Sequence, residues 1–171
     1  GGLLGAWFFF GSMIKEVQTG LEPLREDVGE LSVSLVDSVW RDVLKMHPAS
    51  PDDFQALLKA EMKKRIDADI MEAVFQAPWM GAVVGKVAEG LSPVFSELVY
   101  KEIMQRLTNQ AADALSMPPE QLEPLWRKGV TEALRGGLVL DVFTGSLTKG
   151  MHLARSSVMT PVAVILGLIA L

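Results

Sequence analysis

The stretch that decides the fold runs from residue 50 to residue 74 and reads SPDDFQALLKAEMKKRIDADIMEAV. It opens with the helix-capping residue Ser50, then Pro51, which suits a first helical position, and then two acids that favour the positive end of the helix dipole. Apolar side chains follow every three or four residues, which predicts a helix with one buried face. The predicted buried positions are Phe54, Leu57, Leu58, Met62, Ile66, Ile70 and Val74. We expect this helix to end before Pro78, because the residue ahead of a proline avoids the helical conformation.

Similar signals recur along the rest of the chain. Ser92-Pro93 and the stretch from Ser116 to Pro119 repeat the cap-and-proline pattern and predict two further helix starts. Gly136-Gly137 predicts an interruption before a last apolar helix. No alternating apolar run is bounded by the turn residues that mark strands. The sequence therefore predicts an all-α protein, a helical bundle of several short helices.

Both ends of the sequence are uncharged. Residues 1–14 read GGLLGAWFFFGSMI, and residues 156–171 read SSVMTPVAVILGLIAL. A spanning helix needs about 20 apolar residues, so each segment is either a truncated span or a shallow interfacial helix. We therefore expect a helical body at residues 15–155 between membrane-associated N- and C-terminal helices.

Composition excludes several kinds of function. The net charge of −5 argues against a nucleic-acid partner, because phosphate binding depends on clustered positive charge. The absence of cysteine excludes disulfides, thiolate metal centres and cysteine nucleophiles. The two histidines, His47 and His152, are too far apart in sequence for a metal-ligand motif, and no carboxylate pair converges on a helix face. We predict that the protein is not an enzyme and holds no metal or other cofactor.

Two patterns predict helix packing. The first is a 3-4-3-4 spacing of apolar residues, the seam of a short coiled coil, formed by Leu21, Leu24, Val28, Leu31 and Leu35. This seam lasts two heptads and serves either pairing with another helix of the same chain or self-association. The second is the recurrence of Ala77, Gly81 and Gly85 every four residues, which allows close approach of helix backbones, as between helices in membranes.

These features favour a non-catalytic, membrane-anchored helical protein that mediates assembly, as a homo-oligomer or as an accessory subunit of a larger membrane complex. Its expected partners are the lipid bilayer and either further copies of itself or other membrane-protein subunits. Lys15, Lys149 and Arg155 lie at the inner edges of the two uncharged segments. Because basic residues stay on the cytoplasmic side, we expect the body on that side of a bacterial inner membrane.

Two alternatives remain open at this point. In the first, the protein is a pore or gate component of a channel or transporter, with Asp141, an acid among apolar residues, on the transport pathway. In the second, the Gly-rich aromatic stretch at residues 1–12, ahead of the heptad segment, makes this a membrane-inserting or fusion-type protein.

Overall fold

The computed structural model describes residues 15–75 and 82–156. These residues are helical apart from short turns, and no strand occurs among them, which confirms the all-α prediction for this part of the chain. Within these two ranges, no helix has both the length and the apolar character that a membrane crossing requires. The predicted end segments at residues 1–14 and 156–171 lie outside the described residues, except for Ser156.

The described residues form five helical rods. The first rod runs through residues 15–21, a 3-10 turn (Glu22–Leu24) and helix α1 (Arg25–Lys45). The second joins α2 (Pro51–Arg65) through a π-helical turn (Ile66–Ile70) to α3 (Met71–Phe75).

The third rod joins α4 (Ala82–Leu91) through a 3-10 turn (Ser92–Val94) to α5 (Phe95–Gln110). After a 3-10 turn (Ala114–Ser116), the fourth joins α6 (Pro119–Leu125) through a second π-helical turn (Trp126–Val130) to α7 (Thr131–Arg135). The fifth is α8 (Leu138–Ser156).

Two predicted helix boundaries are confirmed. The Ser50 hydroxyl accepts a hydrogen bond from the backbone N–H of Asp53 at 3.1 Å, which caps α2. Gly136 and Gly137 separate α7 from α8, and Gly137 has a φ of 99°. That conformation favours glycine, because a side chain there would meet the backbone.

One predicted helix start is wrong, and a second is right in position but wrong in its cap. Ser92-Pro93 opens no separate helix, because Leu91 keeps helical angles and Pro93 fits the first turn of a 3-10 segment, so the rod continues through it. Ser116 closes a 3-10 turn instead of capping a helix. Helix α6 begins at Pro119 behind Pro118, and no side chain caps it.

The π-helical turns explain how the second rod keeps one buried face. Its fully buried side chains occur at every fourth residue, each at most 1% exposed: Phe54, Leu58, Met62, Ile66, Ile70 and Val74. On a helix of 3.6 residues per turn, a step of four residues drifts by about 40°. The wider π turn at Ile66–Ile70 offsets this drift. The fourth rod follows the same rule with Leu122, Trp126, Val130 and Leu134.

Helix α1 is the central element of the core. It packs against α2 on one side and against α7 and α8 on the other, while α5 contacts α2, α8 and the second π turn, and α4 packs on α8. Two aromatic clusters lie in this core. The Trp cluster consists of Trp40, Phe54 and Trp126, and the Phe cluster consists of Phe75, Phe95 and Phe143.

Candidate partner-binding and membrane-facing surfaces

The predicted seam on the first rod lies mostly inside this chain's own core. Leu21, Val28 and Leu35 are at most 5% exposed, and Leu24 packs partly buried against them. Leu31 differs, because 37% of its surface is exposed. The seam therefore serves packing within the chain, and self-association through it stays a prediction for Leu31 alone.

Leu31 points outward because α1 meets α7 through smaller residues. A Cβ atom on Gly29 would lie 3.2 Å from the carbonyl oxygens of Leu134 and Arg135. Ser32, one turn further, is buried and donates to the carbonyl of Val28 at 2.6 Å. This close backbone contact sets the rotation of α1 and leaves Leu31 at the edge of its buried face.

The second predicted packing motif falls mainly outside the described residues. Ala77 and Gly81 belong to the undescribed stretch, and Gly85 lies in the helical backbone of α4. Close packing through these three small residues stays a prediction. The helix predicted to end before Pro78 is described to Phe75, the last residue of α3.

Asp141 lies on the surface at the start of α8, and 65% of its side chain is exposed. It accepts a hydrogen bond from Nη2 of Arg25 at 3.3 Å, and Nη1 of the same arginine donates to the carbonyl of Gly136 at 3.1 Å. Arg25 also pairs with Glu22 at 3.3 Å. Arg25 thus links the first rod to the turn between α7 and α8, and Asp141 has a basic partner.

A groove of about 330 Å³ lies between α5 and α8. Its charged lining residues are Lys101, Glu102, Arg106, Asp141 and Lys149. The lining is of mixed charge and also contains apolar side chains from both helices. Such a groove suits a polar surface partner better than a small apolar ligand.

A second groove, of about 480 Å³, lies between α2 and α5, and we call it the α2/α5 groove. Its apolar lining comes from Ala56, Met104 and Leu115, and 39% of Leu115 is exposed. Asp52 and Lys101 contribute charge at its edge. An apolar floor with a charged edge is the usual composition of a protein-binding patch.

An ion cluster closes one side of the α2/α5 groove. Glu97 accepts from Lys63 at 2.7 Å and from Lys59 at 3.2 Å. The hydrogen bond from Lys63 holds the pKa of the Glu97 carboxyl below its ordinary value, and Lys59 acts in the same direction, against a smaller opposing effect of burial. The Lys59 ammonium also lies 5.6 Å from the ring centre of Tyr100. Burial, helped by the charge of Glu97, raises the pKa of Tyr100 to about 12.

Gln55 contributes an unusual feature to the same groove. Both polar atoms of its side-chain amide are buried, and neither finds a hydrogen-bond partner among the described residues. A buried amide without partners costs about 1–3 kcal/mol. If the side chain turned outward into the groove, a partner that offered one donor and one acceptor there would recover that energy.

No group of three or more histidine, aspartate or glutamate side chains within the described ranges could hold a metal ion. His47 follows α1 with a φ of 52° and is exposed. His152 lies in the last turns of α8.

The fold and its surfaces define an all-α helical bundle with mixed-charge surface grooves. Comparison with protein families, with curated proteins and with solved structures finds no match to this chain.

Sequence reasoning missed the groove residues Gln55, Tyr100 and Leu115. Gln55 and Leu115 carry no local signal, because each is ordinary in a helix or a turn and becomes notable only when α2 and α5 pack. Tyr100 offered a weak signal as the single tyrosine of the chain. Gly29 offered a stronger one, because a glycine inside a charged helix costs about 1 kcal/mol and is often there for close packing.

Proposed function

We propose that this chain is a non-catalytic assembly protein that is anchored to a membrane by its uncharged ends. The observation that carries the proposal is the contrast between those ends and the bundle they flank. Residues 1–14 and 156–171 contain no charged residue. The described bundle between them closes its own core and exposes its charges. Apolar segments that a folded body has no need to bury favour a lipid environment.

The α2/α5 groove supports the assembly part of the proposal. Exposed Leu115 and the buried Met104 give this surface an apolar floor, and the Gln55 amide beneath it lacks a hydrogen-bond partner among the described residues. The expected occupant is another protein chain, either a second copy or a further membrane subunit. The basic residues Lys15 and Lys149 at the inner edges of the uncharged segments favour the cytoplasmic side for the bundle.

Flotation of the full chain with liposomes tests the anchoring. The wild type is expected to float with the vesicles, and Phe9→Lys combined with Leu168→Lys is expected to remain in the dense fraction, because each lysine costs about 2.5–3.5 kcal/mol inside a bilayer. Leu44→Lys, at a surface position that is 39% exposed, serves as the control and should float like the wild type. A wild type that stays in solution without vesicles or detergent would overturn the proposal.

Light scattering in detergent tests the assembly. We expect a mass above that of one chain, or a co-purifying subunit. Leu115→Lys should reduce this association and Leu44→Lys should not, since both leucines are 39% exposed but only Leu115 lines the α2/α5 groove. A single chain that associates with nothing would count against assembly.

A pore or gate role for Asp141 is the second proposal. The observation that favours it is the position of Asp141 in the groove between α5 and α8, beside Lys101 and Lys149. Ion flux into liposomes should then differ between the wild type and Asp141→Asn. Absence of flux from both proteins would eliminate this role.

A further inference from the structure

The first rod and the last two rods run antiparallel in a constant register. Three pairs in contact define it: Arg25 with Asp141, Glu30 with Arg135, and Trp40 with Trp126. The two residue numbers of each pair add to 165 or 166, although the pairs are spread over fifteen residues of α1. When the two residue numbers of each contacting pair have a constant sum, the helices run in opposite directions and keep the same alignment along their length.

The same register continues past the beginning of α1. It brings Leu21 to within two residues of the position opposite Phe143 and Val17 to within two residues of the position opposite Leu147, and all four side chains are at most 3% exposed. Residues 15–21 are therefore expected beside residues 144–151, in the middle of α8. The two places where the described bundle joins its uncharged end segments are thus neighbours at one end of the molecule, which we call the near end.

The second and third rods also reach the near end. Phe75, the last residue of α3, packs 5.0 Å from Phe143 and 5.2 Å from Phe95 between ring centres, and α4 packs along α8. The opposite end, which we call the far end, holds the turns at residues 46–50 and 111–118. Residues 15–45 are helical throughout, so the two ends are roughly 45 Å apart.

Basic residues border the uncharged segments at the near end. Lys15, Lys86 and Lys149 are exposed on the segments that reach it, as are the acids Glu16, Glu72 and Glu89. In the sequence, Lys15 is the first charged residue after residues 1–14, and Arg155 is the last before residues 156–171. Basic residues directly beside apolar segments are suited to the anionic headgroups of a lipid surface.

We propose that the near end of the described bundle lies against one face of an anionic bilayer, so that the bundle stands end-on from the membrane. This inference rests on the proposed membrane anchoring and adds the orientation of the bundle relative to the membrane. The far end, with the Leu115 side of the α2/α5 groove, is then held away from the lipid and remains accessible to a partner chain.

Single-cysteine labelling of the full chain tests the geometry, since the protein has no cysteine of its own. Exposed near-end positions are Gln18→Cys and Glu89→Cys, and their matched far-end controls are Ala49→Cys and Ala112→Cys. Each variant carries a fluorophore and is bound to vesicles of phosphatidylcholine with phosphatidylglycerol, part of which bears a quencher on the headgroup. We expect several-fold stronger quenching of the near-end labels than of the far-end labels.

Equal quenching at the two ends would overturn the proposal, and so would stronger quenching at the far end. Binding that is no tighter to these vesicles than to pure phosphatidylcholine would remove the role of the anionic headgroups. The register is tested separately with pairs of spin labels. Labels on the double variant Gln18→Cys with Ser146→Cys should lie much closer together than labels on the double variant Gln18→Cys with Ala49→Cys. Flotation of the same samples separates the two failures: protein that floats without the quenching difference refutes only the end-on geometry, and protein that does not float refutes the anchoring itself.

Discussion

The two aromatic clusters of the core differ in chemistry. In the Phe cluster, towards the near end, three rings pack edge to face with centres 5.0–6.0 Å apart and bring no polar atom into the core. In the Trp cluster, towards the far end, the spacing is similar at 5.0–5.1 Å, but two indole N–H groups are buried without an acceptor among the described residues. The ring spacing is similar in the two clusters, but only the Trp cluster leaves buried hydrogen-bond donors without an acceptor among the described residues.

This difference shows that the far half of the bundle contains buried polar groups without hydrogen-bond partners among the described residues. The indoles of Trp40 and Trp126 and the amide of Gln55 all belong to it. Each buried group without a partner costs about 1–3 kcal/mol, so these groups reduce the stability that the far half gains from burial. A stable apolar end that faces lipid and a less satisfied end that faces a partner fit the proposed orientation.

The largest expected effect concerns the Phe cluster. Phe143 is fully buried and contacts both other rings, so Phe143→Ala should lower the free energy of unfolding by about 3–5 kcal/mol. Denaturant titration of the detergent-solubilised chain measures the loss. Phe143→Leu, which retains most of the volume, should lose much less. A loss below about 1 kcal/mol for the alanine variant would mean that the near end is loosely packed and would break the comparison.

The fold was largely predictable from local signals, and its surfaces were not. Helix α2 carries its cap, its proline and its periodic apolar face within one short stretch, so each signal supports the others. The π turns also had a local signal, the strict four-residue step from Phe54 to Val74, although periodicity near 3.6 is the usual expectation.

Contacts between rods were beyond local reasoning. The heptad spacing identified Leu31 as a seam residue. In the structure, Gly29 contacts the carbonyls of Leu134 and Arg135, and this contact rotates α1 so that Leu31 is exposed. The α2/α5 groove likewise exists only after two helices pack, and nothing within either helix marks Gln55 as unpartnered. The exposure of Leu31 and the formation of the α2/α5 groove both depend on contacts between helices that are distant in sequence. Local sequence patterns do not reveal such contacts.

The next effect in size concerns Tyr100, which lines the α2/α5 groove. Its pKa is raised from 10.0 to about 12, so the folded state holds the phenol proton more tightly than the unfolded state. The associated stability is complete below pH 10 and is lost as the pH rises towards 12, up to roughly 2–3 kcal/mol at about 1.4 kcal/mol per pKa unit.

Comparison with Tyr100→Phe isolates this loss from other alkaline effects. Unfolding of both proteins should be followed from pH 8 to pH 12, and the stability difference between them should move in favour of the phenylalanine variant above pH 10. Tyr100 is the single tyrosine, so phenolate absorbance reports its titration directly. A titration midpoint near 10 would show that the groove wall is open to water.

A smaller effect is expected in the Trp cluster. Trp126→Phe removes apolar contacts but also removes an indole N–H that lacks an acceptor, and the two terms nearly offset. We expect a change in the free energy of unfolding within about 1 kcal/mol of zero, far below that of Phe143→Ala at the other cluster. A loss above about 3 kcal/mol would indicate that this N–H is bonded after all and would remove the contrast between the two ends.

The smallest effect concerns the ion pair that marks the register towards the near end. The Arg25 and Asp141 side chains are 35% and 65% exposed, and their atoms lie 3.3 Å apart, so solvent screens the pair. A double-mutant cycle with Arg25→Gln and Asp141→Asn should give a coupling of about 0.2–1 kcal/mol, weaker at high salt. Arg25→Gln alone should cost more than Asp141→Asn alone, because it also removes the bond to the Gly136 carbonyl. Equal single effects would show that Arg25 does not hold the turn between α7 and α8, and the alignment of the first rod with the last would then depend on apolar packing alone.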